Sequence, residues 1–182
     1  MKKALYLFVP ITIGIALLAS CKSETKPADT ATKTDSVVMP LKASYSSSFT
    51  ISDNAKNEQL VLQSYKDWED NNLKNAPAYL ADTVTMDFSS GRHLMATRDG
   101  IVKDWQNFRD SLTSVKLDIL AVINLHSTDK NSDWVSVWYK ETDTYKTGKV
   151  DSAFYQDDNR MVKGKMAYIS SKRRTLLPLK KM

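Results

Sequence analysis

The sequence predicts one α+β domain in which helices come mainly first and a long antiparallel sheet closes the chain. Two patterns carry this expectation. Between residues 52 and 112 apolar side chains recur at helical spacing, and from Val115 to Ser171 they alternate with period two. Length agrees, because 182 residues suffice for one domain and are too few for two ordinary ones with tails.

Each element has its own local signal. Ser52, Asp53 and Asn54 offer a helix N-cap, and Leu60, Val61, Tyr65, Trp68 and Asn72 then follow near i, i+4, i+7 spacing, so an amphipathic helix runs to about Asn71. Asn72 caps a second, short helix ending in Ala78-Tyr79-Leu80. Thr83 to Phe88 alternates and is rich in β-branched residues, which suits a strand, and Ser89-Ser90-Gly91 is a turn. Thr97 or Asp99 opens a third helix carrying Ile101, Trp105, Phe108 and Leu112. Four long strands follow, Val115 to Leu125, Trp134 to Thr142, Lys149 to Gln156 and Met161 to Ser171. In the first of these, Val115, Leu117, Ile119, Ala121, Ile123 and Leu125 share a face. The connections, Thr128 to Asp133, Thr144 to Gly148 and Asp157 to Arg160, are short enough to require antiparallel neighbours.

This order resembles the NTF2-like superfamily, and within it the SnoaL-like and ketosteroid-isomerase-like small proteins. The resemblance lies in Val61-Leu62-Gln63-Ser64-Tyr65-Lys66-Asp67-Trp68, in Tyr79-Leu80-Ala81-Asp82-Thr83-Val84-Thr85-Met86-Asp87-Phe88, in Gly91 with Arg98-Asp99-Gly100-Ile101, and in the last hairpin, Phe154-Tyr155-Gln156-Asp157-Asp158-Asn159-Arg160-Met161-Val162. It covers most of residues 54 to 171. It implies a cone, with three N-terminal helices packed on a strongly bent antiparallel sheet around an apolar pocket. The superfamily hosts isomerases, dehydratases, cyclases, ligand binders and interaction modules, so the fold leaves the function open.

Proton transfer beside a carbonyl needs a carboxylate base and donors that hold the developing oxyanion. In ketosteroid isomerase an Asp base works with a Tyr and a protonated Asp. By resemblance these fall on Asp87, Tyr65 and Asp151, although the family's Asp-Pro is Asp87-Phe88 here. His93, before the third helix, is a further acid–base candidate, whereas His126 reads as a surface residue at a strand end. Trp68, Trp105, Trp134 and Trp138 are candidate pocket residues. Trp134, Ser136 and Trp138 share one strand face, which is either an aromatic wall for a flat or lipidic ligand or a core or dimer face. Three functions remain open: binding of a small apolar ligand, or an accessory role, without turnover; an isomerase, dehydratase or cyclase using Asp87 with Tyr65; and an interaction module that dimerises through its sheet with its pocket filled.

Composition narrows the classes further. One Cys and two His, with no carboxylates at ligand spacing, speak against a metal site. There is no Gly-x-Ser-x-Gly elbow and no Gly-rich phosphate loop, so neither a serine hydrolase nor a nucleotide cofactor is expected.

Lys2 and Lys3 precede an apolar run from Ala4 to Leu18, too short to span a bilayer, which reads as a secretory signal. Its exit, Leu18-Ala19-Ser20-Cys21, resembles the bacterial lipobox, in which the chain is cut before Cys and the new terminus is acylated. The expected organisation is a signal peptide over 1–20, a lipid-anchored tether over 21–50, rich in Ser, Thr, Ala, Lys and Asp, and the domain over 51–182. A flexible leash of about 29 residues spans ~30 Å. The membrane, through a lipid anchor at Cys21, is thus an expected partner, and the cell envelope the expected location. Without residues 1–20 the chain keeps 24 Lys and Arg against 21 Asp and Glu, a net +3 with no basic stripe, so nucleic acid is not an expected partner. Cys21→Ser should abolish incorporation of labelled fatty acid and release the protein from membrane fractions; labelling that survives the substitution would overturn the reading of residues 18 to 21.

Overall fold

The computed structural model describes residues 40–175. The expected signal peptide, Cys21 and residues 22–39 of the tether lie outside the described residues, as do residues 176–182. Within 40–175 the order is β1 (Phe49–Ile51), α1 (Ala55–Glu69), a 3-10 turn (Leu73–Ala78), β2 (Leu80–Asp87), β3 (His93–Thr97), α2 (Arg98–Arg109), β4 (Leu112–Ser127), β5 (Ser132–Tyr145), β6 (Val150–Val162) and β7 (Lys165–Thr175). All seven strands form one sheet, β1-β4-β5-β6-β7-β2-β3. Every neighbouring pair is antiparallel except β2 and β7, which run parallel.

The helices pack on one face of the sheet. Val61 of α1, Ala76 of the 3-10 turn and Ile101 of α2 are fully buried against Val84, Val135, Val137, Met161 and Ile169. Thr97 caps α2, its side-chain oxygen accepting from the Gly100 amide at 3.3 Å. Asn54 holds the N-cap position of α1 without a side-chain bond to the helix. Of the three expected helices only two are α-helices. The segment after Asn72 carries Pro77, which has no N–H to donate, and it closes as a 3-10 turn.

Three further differences bear on function. The alternation expected from Val115 to Leu125 breaks at a bulge between Ile119 and Ala121, where Leu120 is an extra residue, 59% exposed. Before the bulge Val115 and Leu117 point inward; after it Val122 and the buried Asn124 do. The last hairpin turns at Lys163-Gly164, both at positive φ (50° and 70°), rather than at Asp157–Arg160. Asp157, Asp158 and Asn159 are turn-forming residue types, but here each is bonded by a neighbouring strand or helix, and the strand continues through them.

The third difference concerns the boundary at residue 50. Residues 45–51, all but the last assigned to the tether, are bound to the domain. β1 pairs with the end of β4, Phe49 opposite Ser127. Asp129 accepts from Ser46 Oγ (2.6 Å), Ser127 Oγ (2.9 Å), and the Ser47 amide and hydroxyl (both 3.0 Å), and these donors hold its carboxyl well below the usual range. Removing them should free the segment alone: in Asp129→Ala, amide exchange of residues 47–51 is expected to accelerate by ~10-fold, with β5 unchanged. Unchanged exchange at the Ser47 amide would show that another contact holds the segment.

Candidate functional site

Strand parity determines what each candidate side chain faces. On β5 the inward residues are Val135, Val137, Tyr139, Glu141 and Asp143, so the face begins apolar and ends acidic. Opposite them on β6 stand Asn159, Asp157, Tyr155, Ala153 and Asp151, with Asp143 directly across from Asp151. Between this end of the sheet and the two helices lies an open cavity of about 720 Å³. Tyr65 and Trp68 of α1, Trp105 and Phe108 of α2, and Tyr139, Glu141, Asp143, Asp151, Tyr155 and Asp157 of the sheet all line it.

Two polar groups organise the cavity. The first centres on Asp157, fully enclosed by protein, whose Oδ2 accepts from the hydroxyls of Tyr65 (2.8 Å) and Tyr139 (3.0 Å). Burial pushes this carboxyl up, while bonds from Ser171 and the two tyrosines pull it back. Both phenols are held well above their ordinary value by burial and the adjacent carboxylate. The tyrosine rings meet edge to face at 5.0 Å, and Tyr155 stacks on Tyr139 at 5.3 Å.

The second group is Glu141 with Asp143. Trp68 Nε1 donates to Glu141 Oε1 at 3.1 Å. Burial, reinforced by the negative charge of Asp143, pushes the Glu141 carboxyl up to about 8. Asp143, 7% exposed, is also raised by burial, an effect opposed by a hydrogen bond from Glu141 and by Arg109 and Arg173. Burial and mutual repulsion thus favour a proton on Glu141. Asp151 is ion-paired to Arg173 at 2.7 Å, and Arg173 Nε also donates to the Tyr155 hydroxyl at 2.9 Å.

The sequence-derived candidates divide between the two faces. Tyr65, Asp151, Trp68 and Trp105 line the cavity. Asp87 and His93 do not: Asp87 sits on the outer face of β2, paired across from Ser170, where its carboxylate binds His93 Nδ1 and the Tyr168 hydroxyl, both at 2.6 Å. These bonds hold the Asp87 carboxyl below its usual value, a surface clasp rather than a base facing a pocket. Trp134 and Trp138 are likewise on the outer face, so of the two readings of that face, ligand wall or core and dimer face, the ligand wall is not theirs. Trp134 is buried there by Tyr45 and Tyr168, with ring centroids at 5.7 and 6.0 Å. The wall is built instead from Tyr139 and Tyr155 on the inner face.

Sequence reasoning missed Glu141, Asp143 and Asp157. A signal existed for the first two, since extending the inward parity of Val135, Val137 and Tyr139 by two steps reaches both acids. Asp157 was hidden by its placement in a turn.

The raised Glu141 value has a consequence for stability. The folded state holds this proton up to about pH 8, whereas the unfolded chain releases it near 4.5. Between those values the folded state binds more protons, so stability falls as pH rises through that window. In urea unfolding from pH 5 to 8, Glu141→Gln should flatten this decline relative to the unsubstituted protein; parallel curves would place the ionisation of Glu141 at an ordinary value.

No protein-family model matches the chain, and no curated protein does. Solved structures do. An NTF2-like protein of unknown function from Burkholderia pseudomallei superposes with a TM-score of 0.54 at 16% identity, covering 65% of this chain and 91% of that one. A candidate SnoaL-like polyketide cyclase from Jannaschia gives 0.53 at 11% identity, over 65% and 85% of the two chains. An epoxide hydrolase from M. tuberculosis gives 0.55 at 7% identity, over 66% and 84%. At these identities the likeness shows the fold alone: the chain has the NTF2-like fold of the SnoaL-like proteins.

Proposed function

We propose that this domain takes a small, largely apolar molecule into the cavity and moves a proton on it, with Glu141 as the acid and Asp143 as its basic partner. The observation that carries this reading is the pair itself: two adjacent carboxyls in an aromatic cavity, one pushed to about 8 by burial and the charge of the other. Carboxyls whose environments separate them in this way provide an acid and a base together at neutral pH. Trp68 fixes one oxygen of Glu141, leaving the other for the proton and for the ligand. Tyr65, assigned by resemblance as an oxyanion donor, instead gives its hydroxyl to Asp157, and its role becomes one of wall and orientation. The solved relatives named as a cyclase and an epoxide hydrolase support a small-molecule role without naming the substrate.

Binding without turnover is the second reading. It is favoured by one observation, that both cavity tyrosines next to Asp157 have their hydroxyls engaged by that carboxylate. For either reading we place the domain at the cell envelope, tethered through acylated Cys21, on the strength of Leu18-Ala19-Ser20-Cys21 after a short apolar run.

Deuterium exchange at the α-carbon of aromatic ketones such as 2-tetralone, followed by NMR, separates the two. The protein should accelerate exchange over buffer, and Glu141→Gln should lose ~10²-fold or more of that acceleration. Asp87→Asn, on the other face, should retain it. Ketone binding with exchange at the buffer rate would favour binding alone.

A further inference from the structure

The charge of the cavity is one-sided in a chain that is basic overall. Its arginines are already engaged: Arg92 grips both oxygens of Asp104 at 3.1 and 2.7 Å, and Arg173 holds Asp151 and the Tyr155 hydroxyl. Arg109, near Asp143, donates to the backbone carbonyls of Trp68 and Glu69 at 3.2 and 3.1 Å. Among the described residues no ion pair reaches Glu141, Asp143 or Asp157. Asp143 is more than nine-tenths buried, lines the cavity, and its Oδ1 has no hydrogen-bond partner. A buried carboxylate without a cation beside it is costly, and positive charge brought into the cavity by a ligand offsets that cost.

Aromatic rings line the same cavity. Trp68, bonded to Glu141, stacks with Phe108 at 6.1 Å, and Tyr139, two inward positions before Asp143 on β5, stacks with Tyr155. The cavity's rings already attract cations of the chain itself, with Arg92 over Phe88 at 3.8 Å and Lys149 over Tyr145 at 5.5 Å. Aromatic rings and carboxyl groups sharing one cavity are surroundings that favour an ammonium group. An anionic ligand would meet like charge.

We propose that the ligand of this cavity is a cation, an organic amine or quaternary ammonium compound whose nitrogen rests against Asp143 and Glu141 between the aromatic rings. This rests on the acid–base reading in using the same pair.

The test uses the full chain and two probes of nearly equal shape, benzyltrimethylammonium and its neutral carbon analogue neopentylbenzene, with quenching of the cavity tryptophans as readout. The ammonium should bind at least ~10-fold more tightly, about 1.4 kcal/mol, and Asp143→Asn should abolish the preference. Phenylmethanesulfonate should not bind. The comparison in the unsubstituted protein stands even if the variant fails to fold. Equal or tighter binding of neopentylbenzene overturns the assignment, as does a preference that survives in folded Asp143→Asn. If neopentylbenzene wins while ketone exchange still depends on Glu141, only the cationic ligand is excluded; if neither probe binds and exchange runs at the buffer rate, both readings fall.

Discussion

Holding four carboxyl groups on an inner sheet face is the constraint around which this domain is organised. Glu141, Asp143, Asp151 and Asp157 share the inner face of β5 and β6, where an antiparallel pair normally buries apolar side chains. Each is accommodated differently. Asp151 takes Arg173, Asp157 takes two tyrosine hydroxyls, and Glu141 keeps its proton, which lets Asp143 remain beside it with an unsatisfied oxygen. Unpaired charge in such surroundings costs more than a hydrogen bond returns, so this end of the sheet gives up stability that apolar side chains would have supplied.

The rest of the fold serves that arrangement. α1 brings Tyr65 to Asp157 and Trp68 to Glu141 from residues three apart on one helix face, so a single helix orients both polar groups. The apolar half of the same sheet face, Val135 and Val137, anchors that helix through Val61. The outer face is a separate unit: Asp87, His93, Tyr168, Tyr45 and Trp134 form a hydrogen-bonded and stacked patch that fixes the segment before β1. Its carboxylate is held below its usual value and the inner Glu141 far above, a difference of environment on two sides of one sheet.

Much of the fold was legible in the sequence, because helical and period-two spacing survive wherever a face is buried: α1, α2, β2, β4 and β5 stand close to where the periodicity predicts them. Short elements were less legible. β1 and β3 pair through backbone groups and leave weak side-chain patterns, and Ser46, Ser47 and Asp129 act through local hydrogen bonds in a stretch whose composition reads as leash. The site divided by parity. The resemblance carries no statement of which face a side chain takes here, and it fell on inward positions at Tyr65 and Asp151 and on an outward one at Asp87. Asp157 was lost because turn propensity is overridden once Tyr65 and Tyr139 satisfy its carboxylate.

The protonation state of Glu141 is the central claim, and it is directly observable. With carboxyl-labelled glutamate, the carbon-13 resonance of this side chain, assigned by its absence in Glu141→Gln, can be followed from pH 4 to 10. A midpoint near 8, with a second, partial step reporting the coupled Asp143, is the result the account predicts. A midpoint near 4.5, the ordinary value for a glutamate, would mean that the cavity holds an ionised carboxylate at neutral pH and no acid at all.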